Sequence, residues 1–126
     1  FKVVTIKKPS NIEIETALFT WKVLRHAKSN GILIAKDNRT VGLGAGQVSR
    51  VDAVHMALRK GGDEVIGGVL ASDAFFPFRD SIDALKNSGI NTVLQPGGSI
   101  RDSEVIDACN EYNISMIFTG TRCFKH

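Results

Sequence analysis

Four short stretches of this chain set an arginine among small residues: GAGQVSR (44–50), ASDAFFPFRD (71–80), QPGGSIRD (95–102) and TGTRCFKH (119–126). The planar fork of an arginine donates several hydrogen bonds at once to a phosphate, carboxylate or carboxamide oxygen. Glycine and serine beside it let a ligand approach the backbone closely. The second stretch adds Phe75, Phe76 and Phe78 with Pro77, all between Asp73 and Asp80, which puts stacking surface next to charge. Gathered on one edge, the four would form a polar pocket for an anionic or strongly polar molecule, with an aromatic wall.

Each stretch also has a plainer reading. Gly42, Gly44 and Gly46 either bring backbone close to a ligand ahead of a helix start with free N–H groups, or simply ease a strand exit. No Gly-Lys-Ser/Thr follows, and the G-x-G-x-x-G spacing is not met, so neither a P-loop nor a dinucleotide fingerprint is present. In QPGGSIRD the proline-glycine turn leaves Ser99 or Asp102 able to cap the next helix. Arg122 and His126 lie at the very end of the chain, where a segment frays unless something holds it. His55 falls inside a helix, as a packed or surface residue would, and His26 suits a helix C-terminus. No G-x-S-x-G turn supports a serine nucleophile. Cys109 and Cys123 read as reduced, structural residues, and no metal site is expected.

The elements that must position these loops alternate two periods. Ser10 and Glu13 form a capping box, and Ile14, Ala17, Leu18, Trp21 and Leu24 recur at helical spacing, predicting a helix from about 11 to 27. GILIAKD and TVGLGAG, joined through Asp37, Asn38 and Arg39, predict an antiparallel hairpin. Three helix–strand repeats follow: SRVDAVHMALRK into VIGGVLAS, RDSIDALKNSG into NTVLQ, and RDSEVIDACNEYN into ISMIFTG. Strands separated by helices pair in parallel through right-handed crossovers, so the expected fold is α/β: a three-layer, mixed five-stranded sheet with helices on both faces. Ligands bind such sheets beyond the carboxyl ends of the strands, where the four loops fall. The order of elements is similar to the cytidine deaminase architecture, whose zinc enzymes carry H-x-E and P-C-x-x-C. At the corresponding places stand GAGQVSRVD and SDAFFPFRD, without a zinc ligand.

With 126 residues, 43% of them hydrophobic, the chain fits a single domain over residues 1–126. A net charge of +3, spread along the sequence, is too diffuse for a nucleic-acid arm but admits anionic small molecules as partners. No run approaches the roughly 18 apolar residues that cross a bilayer, and FKVVTIKKPS lacks an apolar signal core, so a cytoplasmic protein without membrane or nucleic-acid partners is expected. Starting at Phe1 is what a processed product or a piece of a longer chain would show.

Three long strings, KSNGILIAKDNRTVGLGAGQVSRVDAV, LASDAFFPFRDSIDALKNSGI and QPGGSIRDSEVIDACNEYNISMIFTGTRCFKH, carry a resemblance. In order and over essentially the whole chain, they resemble the C-terminal part of the AICAR transformylase domain in the bifunctional purine-biosynthesis family that also carries IMP cyclohydrolase. The resemblance implies formyl transfer from 10-formyl-tetrahydrofolate to the 5-amino group of AICAR, on the second of two zinc-free deaminase-like subdomains. By match to the family's motifs, Asn30, Arg50, Phe75, Arg122, Phe124 and His126 would touch the nucleotide, with Asn30 serving catalysis. Pro77, Asp80 and Ser99 would lie toward the folate, and Phe76 or Phe78 would pack inward to hold their loop.

The family's Lys-His pair, whose histidine helps deprotonate the attacking amine, has no counterpart here, and the resemblance assigns it to an upstream subdomain. It also implies a homodimer whose site takes groups from the partner chain. Carbonyl-rich glycine turns could coordinate a monovalent cation such as K+, though no side-chain signature marks one. A non-catalytic nucleotide- or folate-binding module and a structural, dimerising subdomain are the readings that compete with an enzyme piece.

Overall fold

The computed structural model describes residues 1–121. Its strands are β1 (Lys2–Val3), β2 (Ile32–Lys36), β3 (Arg39–Gly44), β4 (Val69–Ser72), β5 (Thr92–Gln95) and β6 (Ser115–Phe118), and its helices α1 (Asn11–Leu24), α2 (Arg50–Gly61), α3 (Asp80–Asp83) and α4 (Asp102–Glu111). They form one sheet in the order β1-β6-β5-β4-β2-β3. β4, β5 and β6 run parallel, while β2 is antiparallel to both β3 and β4. The sheet thus has six strands where the sequence predicts five. The addition is β1, which pairs antiparallel with β6 through Lys2–Phe118 and Val3–Ile117. Two residues are too few to show a period of two, so hydrophobic alternation could not reveal it.

Alternate strand residues supply two cores, as the pleat requires. Ile32, Ile34, Leu70, Val93 and Met116 meet Ala53, Val54 and Ala57 of α2, Ile82 of α3, and Val105, Ala108 and Cys109 of α4. Leu33, Val69, Ala71, Leu94 and Ile117 face the other way, onto Ala17 and Leu24 of α1. Burial pushes the Cys109 thiol up to about 12, so it packs as a small apolar group rather than a reactive one.

The capping box forms as the sequence predicts: Ser10 N–H donates to Glu13 Oε1 at 2.8 Å, and Glu13 N–H to Ser10 Oγ at 3.1 Å. The face that α1 buries differs from expectation. Thr16, Ala17, Thr20 and Leu24 are covered, whereas Ile14 and Leu18 are exposed. Small side chains let this helix seat closely on the sheet, and Thr20 Oγ1 satisfies itself by donating to Thr16 O at 2.6 Å. The helix expected over 79–89 is regular only through α3, after which bonds such as Leu85 N to Ile82 O (2.9 Å) and Ser88 N to Leu85 O (3.0 Å) wind the chain more tightly. Asp37 and Asn38, both with positive φ, close the β2–β3 hairpin as a two-residue turn, and Arg39 already belongs to β3.

Gly42 and Gly44 have a structural purpose. A Cβ on Gly42 would fall 2.2 Å from the Ala57 carbonyl oxygen, and one on Gly44 only 2.0 Å from that of Ala53. The backbone that comes close is that of α2, not a ligand. Gly44→Ala should therefore push α2 off β3 and cost roughly 3 kcal/mol, read as a lower urea midpoint of the chain.

Candidate functional site

The sheet topology brings several chain segments to one edge. Ile32 at the start of β2 pairs with Ser72 at the end of β4 and with Gly44 at the end of β3. Residues 29–31, 45–50 and 73–80 therefore emerge together. Between them lies a cavity of about 420 Å³, lined by Asn30, Val48, Ser49, Arg50, Phe75, Pro77, Phe78 and Asp80 among others. That volume lies within the range of small-molecule sites.

Arg50 opens α2 directly after the cap Ser49, whose Oγ accepts from Asp52 N–H at 3.2 Å. Its side chain is 8% exposed and ion-paired to Asp73. Nη1 also donates to Gly31 O at 3.4 Å, and Nη2 donates to Asn30 Oδ1 at 2.7 Å. A guanidinium has five N–H donors. Nε–H and one hydrogen on Nη2 consequently keep no protein partner among the described residues. Asn30 Nδ2 donates to Gln47 O at 3.0 Å and Val48 O at 3.2 Å, which ties the amide to the 45–50 loop and leaves Oδ1 with a spare acceptor position.

The loop after β4 divides its aromatic residues. Phe76 is wholly buried, while Phe75 and Phe78 are 38% and 52% exposed and line the cavity. Of the two rings that offered an inward anchor, Phe76 or Phe78, it is Phe76 that packs inward; Phe78 sits on the wall, with Arg101 Cζ 5.2 Å from its ring centroid. Asp80 Oδ1 accepts from Ser81 N–H at 2.8 Å. Ser99 lies off the cavity lining, in the neighbouring loop, where its Oγ accepts from Arg101 N–H at 3.0 Å. Asp102 holds the same loop by accepting from Gly98 N–H at 2.8 Å and Ser99 N–H at 3.0 Å. It braces the turn before α4 rather than capping the amides inside it.

Asn30, Arg50, Phe75, Pro77 and Asp80 thus share one cavity, with Ser99 on the adjacent loop. Arg122, Phe124 and His126 lie outside the described residues. Sequence left open whether Phe76 or Phe78 packs inward, and Asp73 beneath Arg50 carried no motif to mark it. His26 and His55 are both exposed, and among the described residues no three His, Cys, Asp or Glu side chains converge as a metal site would need. Nor is any described helix long and apolar enough to cross a membrane.

The far end of the 73–80 loop is fastened to α4. Arg79 donates to Asp83 Oδ1 at 3.0 Å and to Glu111 Oε2 at 2.5 Å, and Tyr112 Oη donates to Asp83 Oδ1 at 2.6 Å. Arg79 first, then Tyr112, hold the Asp83 carboxyl below its ordinary 3.8. A carboxylate whose pKa is depressed by folding stabilises above its unfolded value and loses that contribution as pH falls through the folded one. Urea midpoints measured downward from pH 5 should drop below about pH 3.8, and Asp83→Asn should flatten this acid limb.

The model of the AICARFT/IMPCHase bienzyme family matches residues 1–60. The bifunctional purine biosynthesis protein PurH of Aquifex aeolicus is 57% identical over 99% of this chain and 25% of its own length. That of Acetivibrio thermocellus is 56% identical over 99% of this chain and 24% of its own. The chain thus spans about a quarter of these relatives. Among solved structures, the dCMP deaminase of cyanophage S-TIM5 superposes with a TM-score of 0.58 at 17% identity, covering 88% of this chain and 100% of that one. Acinetobacter baumannii RibD gives 0.58 at 15% identity, covering 86% and 36%. At such identities the likeness shows a shared deaminase-like fold.

Proposed function

Since this chain belongs to the AICARFT/IMPCHase bienzyme family, we propose that it supplies part of the transformylase site of a longer purine-biosynthesis enzyme. The reaction is transfer of the formyl group of 10-formyl-tetrahydrofolate to the 5-amino group of AICAR. The amine nitrogen attacks the formyl carbon, the bond from that carbon to the folate nitrogen breaks, and a proton leaves the amine and is returned to the folate nitrogen. The observation that carries this reading is the single cavity shared by Asn30, Arg50, Phe75, Pro77 and Asp80.

Arg50 suits the nucleotide, since its two remaining donors can take a phosphate or carboxamide oxygen as a fork. Phe75 supplies a face for the purine precursor's ring. The spare acceptor position of Asn30 Oδ1 can receive an N–H of the attacking amine and turn its lone pair toward the formyl carbon. Pro77 and Asp80 lie toward the folate, where a carboxylate oxygen accepts from the donor edge of a pterin-like ring. Ser99, Arg122, Phe124 and His126 complete the two half-sites, and the complete protein works as a cytoplasmic homodimer. A K+ ion among the glycine-rich turns fits the same reading.

The base comes from elsewhere. AICAR's amine is conjugated with its ring and carboxamide and attacks poorly, so a positioned base contributes on the order of 100 to 10,000-fold. The isolated 126-residue chain should therefore give no measurable formyl transfer; turnover by the purified chain without another subunit would refute this division of labour. In the complete enzyme, Arg50→Met should raise KM for AICAR at least tenfold and leave the cyclohydrolase activity of the same polypeptide unchanged. An unaltered KM for AICAR would remove the assignment.

A further inference from the structure

Asp73 is 1% exposed and absent from the cavity lining, yet it holds Arg50, which is on it, and through Arg50 the lining residue Asn30. Its Oδ1 takes Arg50 Nη1. Oδ2 accepts from Ser29 Oγ at 2.7 Å and from Gly31 N–H at 3.0 Å, and its own N–H donates to Gly31 O at 3.1 Å. Arg50 in turn holds Asn30 Oδ1, and Asn30 holds the Gln47 and Val48 carbonyls. One buried carboxylate therefore stands at the root of a chain of bonds through three segments that are remote in sequence.

We propose that Asp73 is a positioning residue for the nucleotide half of the site, acting through Arg50 and Asn30; the proposal rests on the function assigned above. A guanidinium this buried requires a counter-charge. Pairing one Nη1 hydrogen with Asp73 also decides which donors remain for a ligand. With the carboxylate in place, Nε–H and one Nη2 hydrogen stay available and Asn30 is held beside them. Without it, Arg50 is left with an uncompensated buried charge and swings toward solvent, releasing Asn30.

The two oxygens of Asp73 separate this role from loop support. Asp73→Asn can keep its carbonyl oxygen toward Ser29 and Gly31 and replaces the oxygen facing Arg50 with an amide that cannot accept. Ser29→Ala does the reverse, removing a loop bond and leaving the ion pair.

In the complete enzyme, steady-state kinetics with AICAR and 10-formyl-tetrahydrofolate should show Asp73→Asn raising KM for AICAR at least tenfold, with KM for the folate changed less than threefold. Ser29→Ala should change KM for AICAR less than threefold. Combined with Arg50→Met, Asp73→Asn should add less than a further twofold, because its effect passes through the arginine. Multiplying losses in the double variant, equal losses from Ser29→Ala, or a normal KM for Asp73→Asn would each overturn the proposal. If Arg50→Met alone leaves KM for AICAR unaltered, it is instead the nucleotide assignment that fails. Should Asp73→Asn prove insoluble, a soluble Arg50→Met/Asp73→Asn enzyme would show that Asp73 is needed because of Arg50 and support the proposal. An insoluble double variant would show a need independent of Arg50 and overturn it.

Discussion

The close seat of α2 on β3 is the constraint on which the rest depends. Where Gly42 and Gly44 pass beneath the Ala57 and Ala53 carbonyls, no side chain of any size can intervene. The helix axis is thereby fixed relative to the sheet, and with it the point where the chain enters α2 at Arg50. A helix one methyl group further out would carry the guanidinium away from Asp73, which follows β4 on the far side of β2. Packing at backbone contact thus delivers a charge into the interior, and the buried carboxylate makes that burial tolerable.

Much of the frame was legible because it depends on near neighbours in sequence. Ser10 and Glu13 are three residues apart and cap α1 on their own, and Asp37-Asn38 turn the hairpin with φ values they adopt readily. The crossovers to β5 and β6 follow from helix–strand alternation. What escaped depends on contacts across the fold. β1 exists because β6 offers it an edge. The outward aspect of Ile14 and Leu18 is decided by which stripe of α1 fits closest to the sheet, a choice that periodicity cannot make. The glycines of the β3 strand could be read as a ligand approach because sequence shows that backbone comes close, but not whose. Asp73 was the least visible, since its partners at 29, 31 and 50 become neighbours only once the sheet is assembled.

The aromatic loop is held at both ends by different physics. Near its start, Phe76 is a hydrophobic plug; near its end, Arg79 is clamped to Asp83 and Glu111. Between these anchors Phe75 and Phe78 stand partly bare, and Arg101 lies over the second ring. Exposed aromatic surface on a well-fixed loop binds flat molecules with little ordering left to do.

The β2–β3 hairpin has a consequence for handling the molecule. Because β2 and β3 form a two-residue turn at one end, both of their other ends open onto the cavity, and the Asp37–Asn38 turn stands off by about 15 Å, the length of a five-residue strand. This turn is exposed; Asn38 Nδ2 donates to Glu15 Oε1 of α1 at 3.3 Å, and two strands link the turn to the cavity. A fluorophore attached there would sit outside the binding site while riding on the element that carries Asn30 and leads into Arg50. Its signal would report how the hairpin responds when the cavity fills, from a position that leaves the cavity's own chemistry intact.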